Sequence, residues 1–201
     1  MKISTENEQI VLASKSEVRA QLLQEHGINV KITNHLANEE LLKDRYDKSK
    51  LYSLSDYLAK EKAKSVEHIF KKQTIISSDQ ILICKNKLLN KPKSKEEALQ
   101  NLLFLQNKEH ILISSVCLLT KKRKYLLHNQ KAILFMKAVS KEKIRHYINE
   151  NQDIVFSTVG SYKIENDKLN CLQIIKGNKE TILGFPISKF LPILRKEKWN
   201  F

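Results

Sequence analysis

Thr74-Ile75-Ile76-Ser77-Ser78-Asp79-Gln80 sets an acid at the end of an apolar run that reads as a buried strand. A carboxylate in that setting is costly unless something pairs with it. The fold must therefore bring a cation or hydrogen-bond donors to Asp79, or let it cap the following turn. Ends of parallel strands are also where α/β proteins gather catalytic groups. Eleven residues after Gln80 the chain returns with Lys91-Pro92, a compact cation held by a proline and suited to phosphate. One carboxylate and one fixed ammonium point to phosphate chemistry.

The remaining pattern alternates strands and helices. Ile10 to Ala13 is a short apolar run, and Ser14-Lys15-Ser16 precedes a helix with Val18, Leu22 and Leu23 on one face and Gly27 as its stop. Val30 to Thr33 reads as a strand, and Glu39 to Lys50 as a loop or irregular helix. Ser53 to Phe70 carries apolar residues at helical spacing, with Lys62 on the apolar stripe. Its stem packs there while the head either snorkels to water or serves a site.

Ile81 to Cys84 and Leu88-Leu89 form a small hairpin, and Ser94-Lys95-Glu96-Glu97 is a capping box opening a helix through Leu105. His110 to Leu119 and Tyr125 to Phe135 make a second hairpin. A helix from Ser140 to Asn149, strands near Ser161 to Ile164 and Leu172 to Ile175, and a last helix from Ser188 to Lys196 complete the reading. This interleaving predicts an α/β fold with a mixed twisted sheet and flanking helices.

At 201 residues the chain fits a single domain with a sizeable core. Four Gly and three Pro leave no linker or low-complexity tract. The net charge of +14 suits a polyanionic partner or a phosphate-bearing substrate. The lysines are scattered, however, and the dense run Lys121 to Lys124 reads as a solvated hairpin turn. Aromatics at 7% are not interleaved with basic residues as single-strand nucleic-acid binders require, which makes nucleic acid the weaker partner. Cys84, Cys117 and Cys171 show no metal or disulfide spacing and read as small buried hydrophobes. Met1 to Gln9 is polar, without a signal-peptide core, and no apolar stretch is long enough to span a bilayer. A cytoplasmic location and no membrane partner are expected.

Four places hold side chains suited to phosphate chemistry. Ser14 to Arg19, between a strand and a helix, offers amides, hydroxyls and a cation, although Ser16 as N-cap and Arg19 on the surface explain that segment equally well. Asp79 can act as a base or metal ligand, and the Gln80 amide can orient a base or a phosphate oxygen. Lys91 is the third place and Glu39, beside Glu40, the fourth. No Gly-rich phosphate loop is present.

Taken in order, these segments resemble the Maf family of nucleoside triphosphate pyrophosphatases. The resemblance rests on Leu12 to Leu23, Leu58 to Ala63, Ser78-Asp79-Gln80, Lys91-Pro92, Asn107 to Leu119 with His110, Gly160 to Glu165 and Gly184-Phe185-Pro186, and spans Ile10 to Arg195. It implies a fold related to the inosine-triphosphate pyrophosphatases, with two lobes around a cleft, often as a homodimer. It also implies hydrolysis of a nucleoside triphosphate between the α and β phosphates, aided by a divalent cation such as Mg²⁺ or Mn²⁺. Ser16, Arg19, Lys62 and Lys91 then match substrate-binding positions, Asp79 the catalytic aspartate, and Glu39 with Asp79 the metal-associated acids. Val18, Gln80 and Glu165 fall at specificity positions. Gln80 and Glu165 are similar to the branch acting on 7-methyl-GTP rather than the dTTP/UTP branch, whose first-loop arginine is replaced here by Val18. Val18 also lacks the large aromatic of some 7-methyl-GTP members, and Asn38 stands where the family has a second acid. The alternative is a nucleic-acid-binding or cell-division regulatory protein without turnover.

Overall fold

A computed structural model describes residues 9–197, and the polar segment Met1 to Glu8 lies outside them. The described elements run β1 (Ile10–Ala13), α1 (Glu17–Glu25), β2 (Val30–Thr33), α2 (Glu39–Arg45), a 3-10 segment (Lys48–Ser53), α3 (Leu54–Ser65), β3 (Ile75–Cys84), β4 (Lys87–Leu89), α4 (Lys95–Leu105), β5 (Lys108–Leu119) and β6 (Tyr125–Met136). They continue with α5 (Lys141–Glu150), α6 (Gln152–Ser157), a 3-10 turn (Ile164–Asn166), β7 (Leu172–Lys176), α7 (Lys179–Ile182) and α8 (Ile187–Lys196). The strands form a mixed seven-stranded sheet of order β2-β1-β3-β5-β6-β7, with β4 paired to β3. The expected α/β class is what the chain adopts.

The chain divides into two compact units, one of residues 9–79, 114–130 and 179–197, the other of residues 80–113 and 131–178. In the first, β1 runs parallel to both β2 and β3, pairing Ile10 with Val30 and Leu12 with Ile76. Successive strand residues face opposite ways, so β1 feeds two cores. Ile10 and Leu12 join Ile76, Val116 and Leu118 under α1 and α8, where Phe185 and Phe190 meet edge to face. Val11 and Ala13 join Ile75, Cys117 and Leu119 on the face that Ala59 and Ala63 of α3, with Val66 just after it, cover.

In the second unit α4 packs against α5, and Leu102, Leu105, Ile144 and Ile148 of the two helices are buried. Its core also holds a polar pair made by two side chains. His110 of β5 is 1% exposed and Tyr162 7%, and the His110 Nε2 lies 2.5 Å from the Tyr162 hydroxyl.

Three readings are corrected. Ile75–Cys84 is one uninterrupted strand, so Asp79 sits in its middle rather than at an end. The strand survives because Ser77, Ser78 and Asp79 each find a partner, as described below. Ser161 to Ile164 is no strand: Ser161 takes φ 58°, which breaks the pleat, and Ile164–Asn166 is a 3-10 turn. The helix expected from Ser53 to Phe70 ends at Ser65, and Ile69 beyond it is exposed. Glu39 to Lys50, read as loop or irregular helix, holds α2 and the start of the 3-10 segment. Lys121 to Lys124 is indeed a turn, closed by a hydrogen bond from the Thr120 amide to the Lys124 carbonyl, and the three cysteines are buried and free.

Burial pushes the His110 pKa from 6.5 down to about 4. A folded state that resists protonation keeps its stability above the unfolded value and loses it as pH falls from about 6.5 towards 4. The stability difference between wild type and His110→Asn is therefore expected to shrink across that window, by up to roughly 3 kcal/mol. Urea denaturation at pH 7 and pH 4.5 measures it, and a pH-independent difference would remove His110 as the titrating group.

Candidate active site

The site in the first unit grows from three consecutive residues of β3. Ser77 donates to the Ala59 carbonyl of α3 at 2.5 Å, and Ser78 on the opposite face donates to the Gly184 carbonyl at 2.8 Å. Asp79 returns to the α3 face, where its Oδ1 lies 2.6 Å from the Lys62 Nζ. Strand periodicity thus aims residues 77 and 79 at the helix that carries the lysine. Asp79 is 4% exposed and Lys62 5%, so this is a buried ion pair. Lys62 does not snorkel to water.

The Lys62 ammonium has a second partner, Glu39 Oε1 at 2.9 Å. Glu39 opens α2, where Asn38 is the N-cap and its side chain accepts from the Leu41 amide at 3.1 Å. Asparagine caps a helix as well as aspartate does, which gives Asn38 a structural job. Glu39 also meets His35 Nε2 at 3.3 Å. The His35 hydrogen bond, then Lys62, hold the Glu39 carboxyl well below the usual carboxylate range, against an opposing push from burial.

Ser16 is the N-cap of α1, its Oγ accepting from the Arg19 amide at 3.4 Å. Arg19 is half-buried rather than free on the surface. Its Nη1 donates to Ser14 Oγ at 3.2 Å and to the Ser78 carbonyl at 2.7 Å, the peptide that joins Ser78 to Asp79. Burial draws the Arg19 pKa down, and the nearby carboxylates of Asp79 and Glu39 oppose that. Val18, one residue earlier, packs against the core under α1.

Ser16, Arg19, Glu39, Lys62 and Asp79 are therefore all placed by the first unit, with Lys62 bridging two acids and Arg19 fixed beside one of them. Gln80, Lys91 and Glu165 belong to the second unit. There Gln80 continues β3, Lys91 follows β4, and Glu165 is exposed on the 3-10 turn. Sequence reasoning missed His35 and gave the two serines of β3 no role, whereas Ser14 lies in the Ser14 to Arg19 segment it had singled out. The signal for the serines was present: two hydroxyls in a buried strand need acceptors, and these lie on the flanking helix and turn.

A hard divalent cation takes one or two carboxylates and leaves its other positions to water and phosphate. The Asp79 Oδ2 is buried and has no hydrogen-bond partner, and Glu39 offers a second acid on the same lysine. That donor set fits such an ion, although the described residues hold no cluster of three or more His, Cys, Asp or Glu able to ligate one unaided.

Residues 9–197 match the Maf family, described as Maf-like protein. The chain belongs to that family. It is 30% identical over 189 residues to the nucleoside triphosphate pyrophosphatase of Pelagibacter ubique (strain HTCC1062), covering 93% of this chain and 97% of that one. It is 33% identical over 189 residues to the 7-methyl-GTP pyrophosphatase of Bartonella henselae, covering 94% of each. Among solved structures the Staphylococcus aureus Ham1 protein matches with a TM-score of 0.53 at 15% identity, over 95% of this chain and 100% of that one, which shows a shared fold.

The ion pair of this Maf chain is asymmetric. Among the described residues Asp79 pairs only with Lys62, whereas Lys62 also holds Glu39. Lys62→Met strands a buried carboxylate and is expected to destabilise by about 3–5 kcal/mol. Asp79→Asn leaves the lysine paired and is expected to cost clearly less. Denaturation midpoints of the two variants measure this, and equal losses would contradict the asymmetry.

Proposed function

We propose that this protein is a nucleoside triphosphate pyrophosphatase, which hydrolyses the bond between the α and β phosphates to give a nucleoside monophosphate and pyrophosphate. One observation carries the reading: Asp79 is buried with one oxygen tied to Lys62 and the other without a partner. A carboxylate held on one side and open on the other can take a proton from an attacking water. The family match and the two pyrophosphatase relatives support the reaction class.

In this mechanism Asp79 orients the water and accepts its proton as oxygen attacks phosphorus and the phosphoanhydride bond breaks. Pyrophosphate leaves with added negative charge. Arg19 offers a planar fork that grips phosphate oxygens bidentately, while Lys62 acts as a point charge already fixed between Glu39 and Asp79. Ser16, at the start of α1, supplies a hydroxyl at a helix N-terminus suited to an anion. In the second unit Lys91 is assigned to phosphate, and Gln80 and Glu165 to the base. A carboxylate accepts hydrogen bonds from the N1–H and amino edge of a guanine, which favours a guanine nucleotide, 7-methyl-GTP included. Val18 is assigned to specificity by the absence of a bulky aromatic. Glu39 and Asp79 would hold Mg²⁺ or Mn²⁺. Such an ion, when bound, neutralises charge on the phosphates as a Lewis acid. The match across residues 9–197 supports reading the chain as a single Maf-like nucleotide pyrophosphatase domain.

Pyrophosphate release from canonical and 7-methylated triphosphates, with Mg²⁺, Mn²⁺ or a chelator, tests the reading. Wild type turns over only with a cation, Asp79→Asn loses turnover while staying folded, and Arg19→Ala slows it by roughly 10²–10³-fold. Undiminished rates in Asp79→Asn would remove Asp79 from the mechanism.

A further inference from the structure

The second unit concentrates anomalies in one segment, residues 160–162. A Cβ on Gly160 would run into the Tyr162 ring, so the ring seats directly on a bare backbone. Ser161, a residue with a side chain, takes the left-handed φ of 58°, and its Oγ is buried without a hydrogen-bond partner. Its carbonyl accepts from the Tyr147 hydroxyl at 2.9 Å. The Tyr162 hydroxyl, deep in an apolar core, meets His110 Nε2 at 2.5 Å, with the rings edge-on at 5.6 Å. No well-formed hydrogen bond reaches the other ring nitrogen of His110, although the Lys108 backbone slightly favours its protonated form.

Packing alone does not call for these groups. Phenylalanine would fill the Tyr162 site without burying a hydroxyl and an imidazole, each of which is costly unless paired. A polar pair adds direction: it fixes how deep the ring sits and how it is rotated. Strained backbone persists only where its surroundings over-determine it, and such strain gathers at ligand clamps. Just beyond, Ile164–Asn166 is a single 3-10 turn carrying exposed Glu165, and its far end is closed by Asp167, whose Oδ2 accepts from the Cys171 and Leu172 amides at 2.8 Å each. The turn is thus clamped on both sides.

We propose that His110, Tyr162 and Tyr147 are positioning residues for base recognition: they lock residues 160–162 and thereby fix where Glu165 presents its carboxylate. This rests on the reading of Glu165 as a base-contacting group. Recognition groups must be held within about 0.5 Å by supporting residues to discriminate, and an exposed glutamate on an untethered loop does not meet that requirement.

The test is a double-mutant cycle on the full chain, with kcat and KM measured for the preferred triphosphate and for a poor one. Glu165→Gln flattens the preference between them. Tyr162→Phe, which keeps the ring and loses only the hydroxyl, is expected to raise KM for the preferred triphosphate by about tenfold with kcat changed less than about twofold, and to leave the poor one alone. The double variant discriminates no worse than Glu165→Gln by itself, because both changes act through one carboxylate. Tyr147→Phe, which releases the Ser161 carbonyl, shifts the same KM in the same direction and serves if Tyr162→Phe does not fold. A preference lost in Glu165→Gln but kept in the folded tyrosine variants overturns this proposal and leaves Glu165 as the reader. A preference kept in Glu165→Gln overturns the base reading and the positioning role together. A fall in kcat shared by all triphosphates assigns the tyrosines to structure alone and also overturns it.

Discussion

The ammonium of Lys62, enclosed between Glu39 and Asp79, is the contact on which the first unit's chemistry depends. An acid and a cation taken out of water, as Asp79 and Lys62 are here while Glu39 stays partly exposed, are unstable unless their geometry is good. Here each carboxylate comes from a different element, α2 and β3, and the cation from a third, α3. The lysine's helix and β3 are held in register by ordinary packing of Ala59, Ala63 and Val66 on β1, β3 and β5. An apolar interface thereby sets the position of a charged one.

The backbone of β3 does similar work. Its serines anchor it to α3 on one face and to Gly184 on the other, and Arg19 grips the peptide immediately before Asp79. Few rotations remain open to the carboxylate. Groups aimed in advance at the place where charge develops need not reorganise during reaction, and a strand tied on both faces supplies that aim.

Much of this was legible in the sequence. The short apolar run Ile10 to Ala13 and the helical spacing of Leu54, Leu58 and Val66 pointed to the elements that carry the site, and a lysine on the apolar stripe marked Lys62 as anomalous. The continuity of β3 through Asp79 was not legible, because a polar triplet looks like a strand end until its partners on other elements are known. Arg19 was ambiguous for the same reason: its acceptor, the Ser78 carbonyl, is 59 residues away. The segment after Gly160 misled because Ser161, Tyr162 and Ile164 have strand-like side chains, and no local pattern reveals a left-handed φ at a serine. Glu39 stood out as a candidate acid, but its ties to His35 and Lys62 exist only in three dimensions.

The discontinuity of the first unit bears on how the molecule is made. Residues 9–79 supply most of that unit, yet the face of β1 and β3 opposite α3 is covered in part by Phe185, Ile187, Phe190 and Leu194. On a ribosome those four emerge well after the strands they cover. Until then Leu12, Ile76 and Val116 present an uncovered apolar face, with Ser78 still lacking its acceptor at Gly184. Contacts of such long sequence separation close slowly, and nascent chains in that condition are prone to aggregate. A charge of +14 spread over the surface sets mutual repulsion against that hazard during synthesis.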